Sequence, residues 1–124
     1  MATSNAATTY LENKILDFLF KNNSSSFATP GNSIYVGLAT AVSDAEAGSL
    51  TEATFGAYAR QQVTAANWTL TSSSADTQTI KNAANIEFPA STGTNNTITH
   101  AFIVDAASSG NILFVGALDA SKTI

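Results

Sequence analysis

The chain of 124 residues contains no cysteine, which excludes disulfides, thiolate metal sites and a cysteine nucleophile. It is also short of charge. Only 11% of its residues are charged, against roughly 25% in an ordinary globular domain. The five basic residues, Lys14, Lys21, Arg60, Lys81 and Lys122, are scattered, and the net charge is −4. That balance argues against nucleic-acid binding, which needs clustered cations. A single histidine leaves hard cations as the only plausible metals. No apolar run approaches the ~18 residues of a membrane span, and the first ten residues lack the basic and apolar regions of a signal peptide. The Asn-x-Ser/Thr triplets are therefore read as chance in an Asn- and Thr-rich chain.

Ser, Thr and Asn take the place of the missing charges, filling about a third of the positions. Such a surface repels copies of itself only weakly, so close packing in an assembly costs little electrostatically. The length suits one domain with a core of its own.

Residues 1–8 are small and polar and are expected to form a flexible arm. Thr9-Tyr10-Leu11-Glu12 matches a capping box, and Leu11, Ile15, Phe18 and Leu19 follow at helical spacing. A short amphipathic helix is expected over 10–21, stopped by Asn22–Ser26. The remainder reads as strands. Candidates are Ser33–Thr40 after the turn signal Pro30-Gly31-Asn32, Tyr58–Ala65, Asn67–Thr71, Thr77–Lys81, Ala84–Phe88, Ile98–Asp105 and Ile112–Leu118. Ala41–Gly56 reads as a small-residue acidic loop. The last two strands are expected to be antiparallel neighbours with Gly110 in their turn. Phe102 and Val104 should share one face and Ile103 the other, with both faces covered, the second by the helix or another subunit. Short strands at this spacing predict a mainly β fold: a β-sandwich or jelly-roll-like single domain over 9–124 with one N-terminal helix.

Catalysis finds little support. Alternation puts His100 and Asp105 on opposite strand faces, and no nucleophile motif is present. No catalytic, cofactor or metal residue is assigned. Asp44, Glu46 and Glu52 make an acidic cluster that could attract Ca²⁺, but without EF-hand spacing a solvated loop is the simpler reading. Tyr35, Tyr58 and Trp68 are candidate sugar-stacking rings if exposed, and core or edge aromatics otherwise. The residues expected at an interface are Leu11, Ile15, Phe18, Arg60, His100 and Ile103.

Several segments carry a family resemblance. They are Asn13–Asp17, Ile34–Thr40, Gly56-Ala57-Tyr58-Ala59-Arg60, Asn82–Pro89, and a closing block. That block comprises Thr99-His100, Ile103, Asp105-Ala106, Gly110-Asn111, Leu113-Phe114, Gly116-Ala117-Leu118 and Ser121-Lys122-Thr123. In order and spacing they resemble a family of small tailed-bacteriophage virion proteins, often labelled tail-fibre proteins. The resemblance implies a structural, non-enzymatic component of the phage particle, and family members usually continue past the closing block into a final strand. Compact size, with no room for fibre repeats, makes a capsid decoration (cement) protein on the outer shell the first expectation. A tail or tail-fibre component contacting the host is the second, and a carbohydrate-binding module the third. The expected partners are the major capsid protein or other virion proteins and copies of the chain itself, as a dimer or trimer. No nucleic acid, membrane or cofactor is expected.

Overall fold

The computed structural model describes residues 5–21, 34–74 and 77–124. Its elements are β1 (Ala6–Ala7), α1 (Thr9–Phe20), β2 (Tyr35–Asp44), β3 (Ser49–Glu52), β4 (Gln61–Gln62), β5 (Trp68–Ser74), β6 (Thr77–Asn82), β7 (Thr97–Val104) and β8 (Ile112–Thr123). The fold is mainly β with one short helix, as the strand-rich sequence predicts. A six-stranded antiparallel sheet runs in the order β1-β8-β7-β2-β3, with β4 also on β2, and β5-β6 form a separate hairpin.

The expected β7–β8 pair is present. Phe102 faces Val115 and Ile103 faces Phe114 across the ladder. Gly110 occupies the turn at φ +77°, a left-handed backbone that favours glycine. Asp105 braces that turn by accepting from Asn111, from its backbone N–H at 2.7 Å and its side-chain amide at 3.1 Å. Phe102 and Val104 are buried on one face, with Ala39 and Val115 beside them. The tip of the Phe102 ring approaches Gly37 on β2, where an added Cβ would sit 2.3 Å from the ring's Cζ. Glycine there is a matter of space rather than of turn geometry. A second cluster forms around Ala53, Phe55 and Ile98. Between His100 and Ile98 the β7–β8 register shifts, and this irregularity lets Ile98 join a different cluster from Phe102.

Several expectations need correction. The helix is capped by Thr8, not Thr9: its hydroxyl accepts from Leu11 N–H at 3.3 Å and donates to Ile112 O at 2.6 Å. Thr8 is therefore tied to β8 as well as to the helix. Ala41–Gly56 is no loop: β2 runs on to Asp44 and turns into β3, with Val42 and Leu50 packing on the core. Its many small residues hide the alternation. Ala84–Phe88 forms no strand, and Tyr58–Ala65 contributes only Gln61–Gln62. The helix does not line Ile103's face of the sheet; that face borders an open groove whose other side is formed by residues of the β5–β6 hairpin. The expected helix stop at Asn22–Ser26 and the turn at Pro30–Asn32 lie outside the described residues, as do residues 1–4 of the expected arm.

Candidate interaction surface

Three features stand out once the fold is in place: a braced polar network, an apolar helix and an apolar groove.

The network arises from a gap in the sheet edge. Along β2, β4 pairs with Tyr35 and Val36, and β3 begins pairing at Ala39. Leu38 falls between them, and its backbone groups need partners. Its N–H donates to the Tyr58 hydroxyl at 3.0 Å, and its carbonyl accepts from Ala53 N–H at 2.8 Å. Tyr58 in turn donates to Glu52 Oε1 at 2.7 Å. Arg60 grips the same carboxylate with Nε and Nη2, each at 2.8 Å, a two-pronged pair of high geometric specificity. Its Nη1 reaches Ala106 O at 2.9 Å and Ser109 O at 2.7 Å in the β7–β8 turn, and the guanidinium lies 5.4 Å from the Phe102 ring centre. Burial alone would push the Glu52 carboxyl up, but the Arg60 and Tyr58 hydrogen bonds and the Arg60 charge outweigh it and hold the group below its ordinary value. Burial, together with the Glu52 carboxylate, pushes the Tyr58 phenol well above its own. Every charged group here has its partner inside the chain. The arrangement locks a turn to a sheet edge.

The helix carries the opposite message. Leu11 is buried, and Tyr10, Lys14 and Asp17, spaced to share a face, are half-buried. Lys14 Nζ sits 5.5 Å from the Tyr10 ring centre. The other side points outward. Leu16, Leu19 and Phe20 follow Glu12 at spacings of four, seven and eight, and Leu19 and Phe20 are 65% and 79% exposed. Ile15 and Phe18 are also more exposed than buried residues of their kind. The helix turns most of its apolar surface to solvent.

The groove, of about 410 Å³, runs between the sheet and the β5–β6 hairpin. Val36, Ile103 and Phe114 align across β2, β7 and β8 to form its floor, and Trp68, Ile80 and Ile86 form its wall. Leu70 lies directly opposite Ile80 on the hairpin, and these two are 72% and 62% exposed. Among the described residues Lys81 is the one charged residue in the lining.

The expected interface residues thus fall in different places. Leu11 is buried within the chain, Ile15 and Phe18 are on the open helix, Arg60 is inside the braced network, and Ile103 is on the groove floor. His100 Nδ1 lies 2.8 Å from the Thr99 hydroxyl, while its Nε2 is buried without a hydrogen-bond partner among the described residues. Asp44 accepts from the N–H groups of Glu46 and Ala47 and closes the β2–β3 turn, and Glu52 is held by Arg60. Among the described residues no three of His, Asp and Glu converge as a metal site, and no helix is long and apolar enough to cross a membrane.

The sequence reading passed over Leu16, Phe20, Leu70, Ile80 and Phe114. A signal for the first two was present: five of the six residues from Ile15 to Phe20 are apolar, too many for one buried stripe.

The paired β7–β8 block and the Tyr58–Arg60 brace that organise this architecture are also the segments that carry the phage-protein resemblance. A family model described as podophage GP4 fiber I protein gp80 matches residues 6–124, from β1 to the last residue. The chain belongs to this family. It is therefore a structural protein of a bacteriophage particle. The match takes in the braced network, the helix and the groove together. A search of curated proteins finds no match.

Proposed function

We propose that this chain is a non-enzymatic fibre subunit on the outside of a tailed-phage particle, held there by contacts with copies of itself and with other virion proteins. The observation that carries the reading is the outward apolar face of α1. In a virion protein, that much apolar surface is a contact awaiting a neighbour. The family's description favours a fibre over the capsid-decoration role that compact size alone suggested.

A binding and assembly role also fits the chemistry. Among the described residues the Thr99–His100 contact has no third group to orient the imidazole, because Nε2 has no hydrogen-bond partner there and Asp105 is bound to Asn111. Sugar stacking has little support. Tyr58 is stacked on Phe88 with ring centres 6.1 Å apart, Tyr35 packs on the core and Trp68 lines the groove.

The test is to label intact particles with gold-conjugated antibody against this chain and to measure its copy number relative to the major capsid protein. Label confined to the tail, at a handful of copies, is expected. Label spread over the shell, at a copy number approaching that of the capsid protein, would return the chain to capsid decoration.

A further inference from the structure

We propose that α1 of one copy seats in the hairpin groove of a second copy, so that the subunits join head to tail. The proposal rests on the self-association part of the reading above and names the two surfaces that carry it.

Among the described residues the chain presents two exposed apolar surfaces, one a convex helix side and one a groove. One is a ridge: Leu16, Leu19 and Phe20 on the outward side of α1. The other is a groove with Val36, Ile103 and Phe114 as floor and Ile80 in its wall. No residue of α1 lines the groove of its own chain. An amphipathic helix laid into an apolar groove is a recurrent recognition mode, read by anchors at spacings of three and four, and the ridge residues meet that spacing.

Charge selects the same pairing. Glu12 is the only charged residue on the ridge side of the helix, since Lys14 and Asp17 lie on the half-buried side. Among the described residues Lys81 is the one charged residue in the groove lining. Seating the ridge brings the acid of the helix to this base. Elsewhere, copies with a net charge of −4 repel each other weakly.

The consequence concerns symmetry. Two different surfaces make a heterologous contact, which generates a closed ring or an extending filament rather than a two-fold dimer. Either form suits a fibre subunit.

The test uses the purified full chain and measures mass in solution by light scattering. Wild type is expected to be oligomeric. Leu19→Glu or Leu16→Glu on the ridge should give monomers, and so should Ile80→Glu in the groove. All three sites are solvent-exposed, and circular dichroism is to check that each variant folds. Mixing Leu19→Glu with Ile80→Glu supplies one intact groove and one intact ridge and should give a one-to-one heterodimer that grows no further. Lys81→Glu should weaken assembly at least tenfold, and adding Glu12→Lys should restore it.

Ridge variants that dissociate while Ile80→Glu stays oligomeric would overturn the proposal in favour of symmetric helix–helix pairing. A monomeric wild type, or a mixture that stays monomeric, would overturn it as well. None of these results touches the fibre assignment, which the gold labelling decides separately.

Discussion

The β7–β8 turn and the β5–β6 hairpin are both two-strand excursions built from similar residues, yet they are held in opposite ways. The first is fixed by Asp105, Asn111 and two hydrogen bonds from Arg60, and its strands bury Phe102 and Val104. The second contributes Trp68 and Ile80 to a groove and leaves Leu70 and Ile80 facing water. The same contrast runs along α1, which is anchored at Thr8 and Leu11 and turns Leu16, Leu19 and Phe20 outward. In this chain, polar side chains lock the scaffold, while apolar side chains are presented at its margins. A chain with few charges can afford that division only by concentrating the ones it has, and Glu52 and Arg60 are where it does so.

The comparison breaks first at the Phe102–Gly37 contact. Phe102→Ala should cost about 3–5 kcal/mol, read from urea unfolding. Gly37→Ala should also destabilise, by about 1–3 kcal/mol, because its new methyl overlaps the ring. In the Phe102→Ala background that second cost should largely vanish, and its persistence would show that the ring is not what excludes a side chain.

Along the helix the anchored and bare ends should separate next. Leu11→Ala is expected to cost about 2–3 kcal/mol and Ile15→Ala less than ~1, since only the first is buried. Equal losses would mean that Ile15 is covered in solution.

Arg60→Ala should cost about 2 kcal/mol. That is below the figure for a fully buried pair, because the Glu52 side chain remains 31% exposed and water screens what is left. Tyr58→Phe should cost ~1 kcal/mol through the lost acceptor for Leu38 N–H and the lost donor to Glu52.

The network also predicts a dependence on pH. Glu52 ionises more readily in the fold than in the unfolded chain. Its contribution is therefore fully present above the ordinary glutamate value of about 4.3 and is lost as the pH falls through the lower folded value. Tyr58 has the reverse sign: its phenol is raised, so its contribution holds below about 10 and fades as the solution becomes more alkaline. Unfolding titrations should show a shallower acid slope in Glu52→Gln and a shallower alkaline slope in Tyr58→Phe. Unchanged slopes would mean that the groups titrate alike in folded and unfolded chains.

The smallest effects belong to the presented surface. Leu70→Ser and Leu19→Ser should change monomer stability by no more than ~0.5 kcal/mol, measured at concentrations too dilute for assembly. A larger loss from Leu70→Ser would show that the hairpin's outer apolar pair belongs to the core after all.

The local sequence was enough for the elements whose signals are contiguous. The 98–118 pair declares itself by alternation and a Gly-Asn turn. The helix declares itself by spacing and a threonine cap, although adjacent Thr8 and Thr9 left its first residue one position off. The Ala41–Gly56 stretch stayed hidden because alanine, serine and threonine alternate without contrast, and β3 exists only because β2 offers it an edge. What sequence could not decide is which way an apolar side chain faces once the sheet has curled. Ile98 leaves the Phe102 cluster through a register shift, and Leu16 and Phe20 face outward because Thr8 pins the helix to β8 by its polar end. Nor does any local pattern join Glu52, Tyr58 and Arg60 to Leu38. That network follows from a gap between two partner strands on one edge, and an unpaired backbone group acquires a position only when the strands around it have theirs.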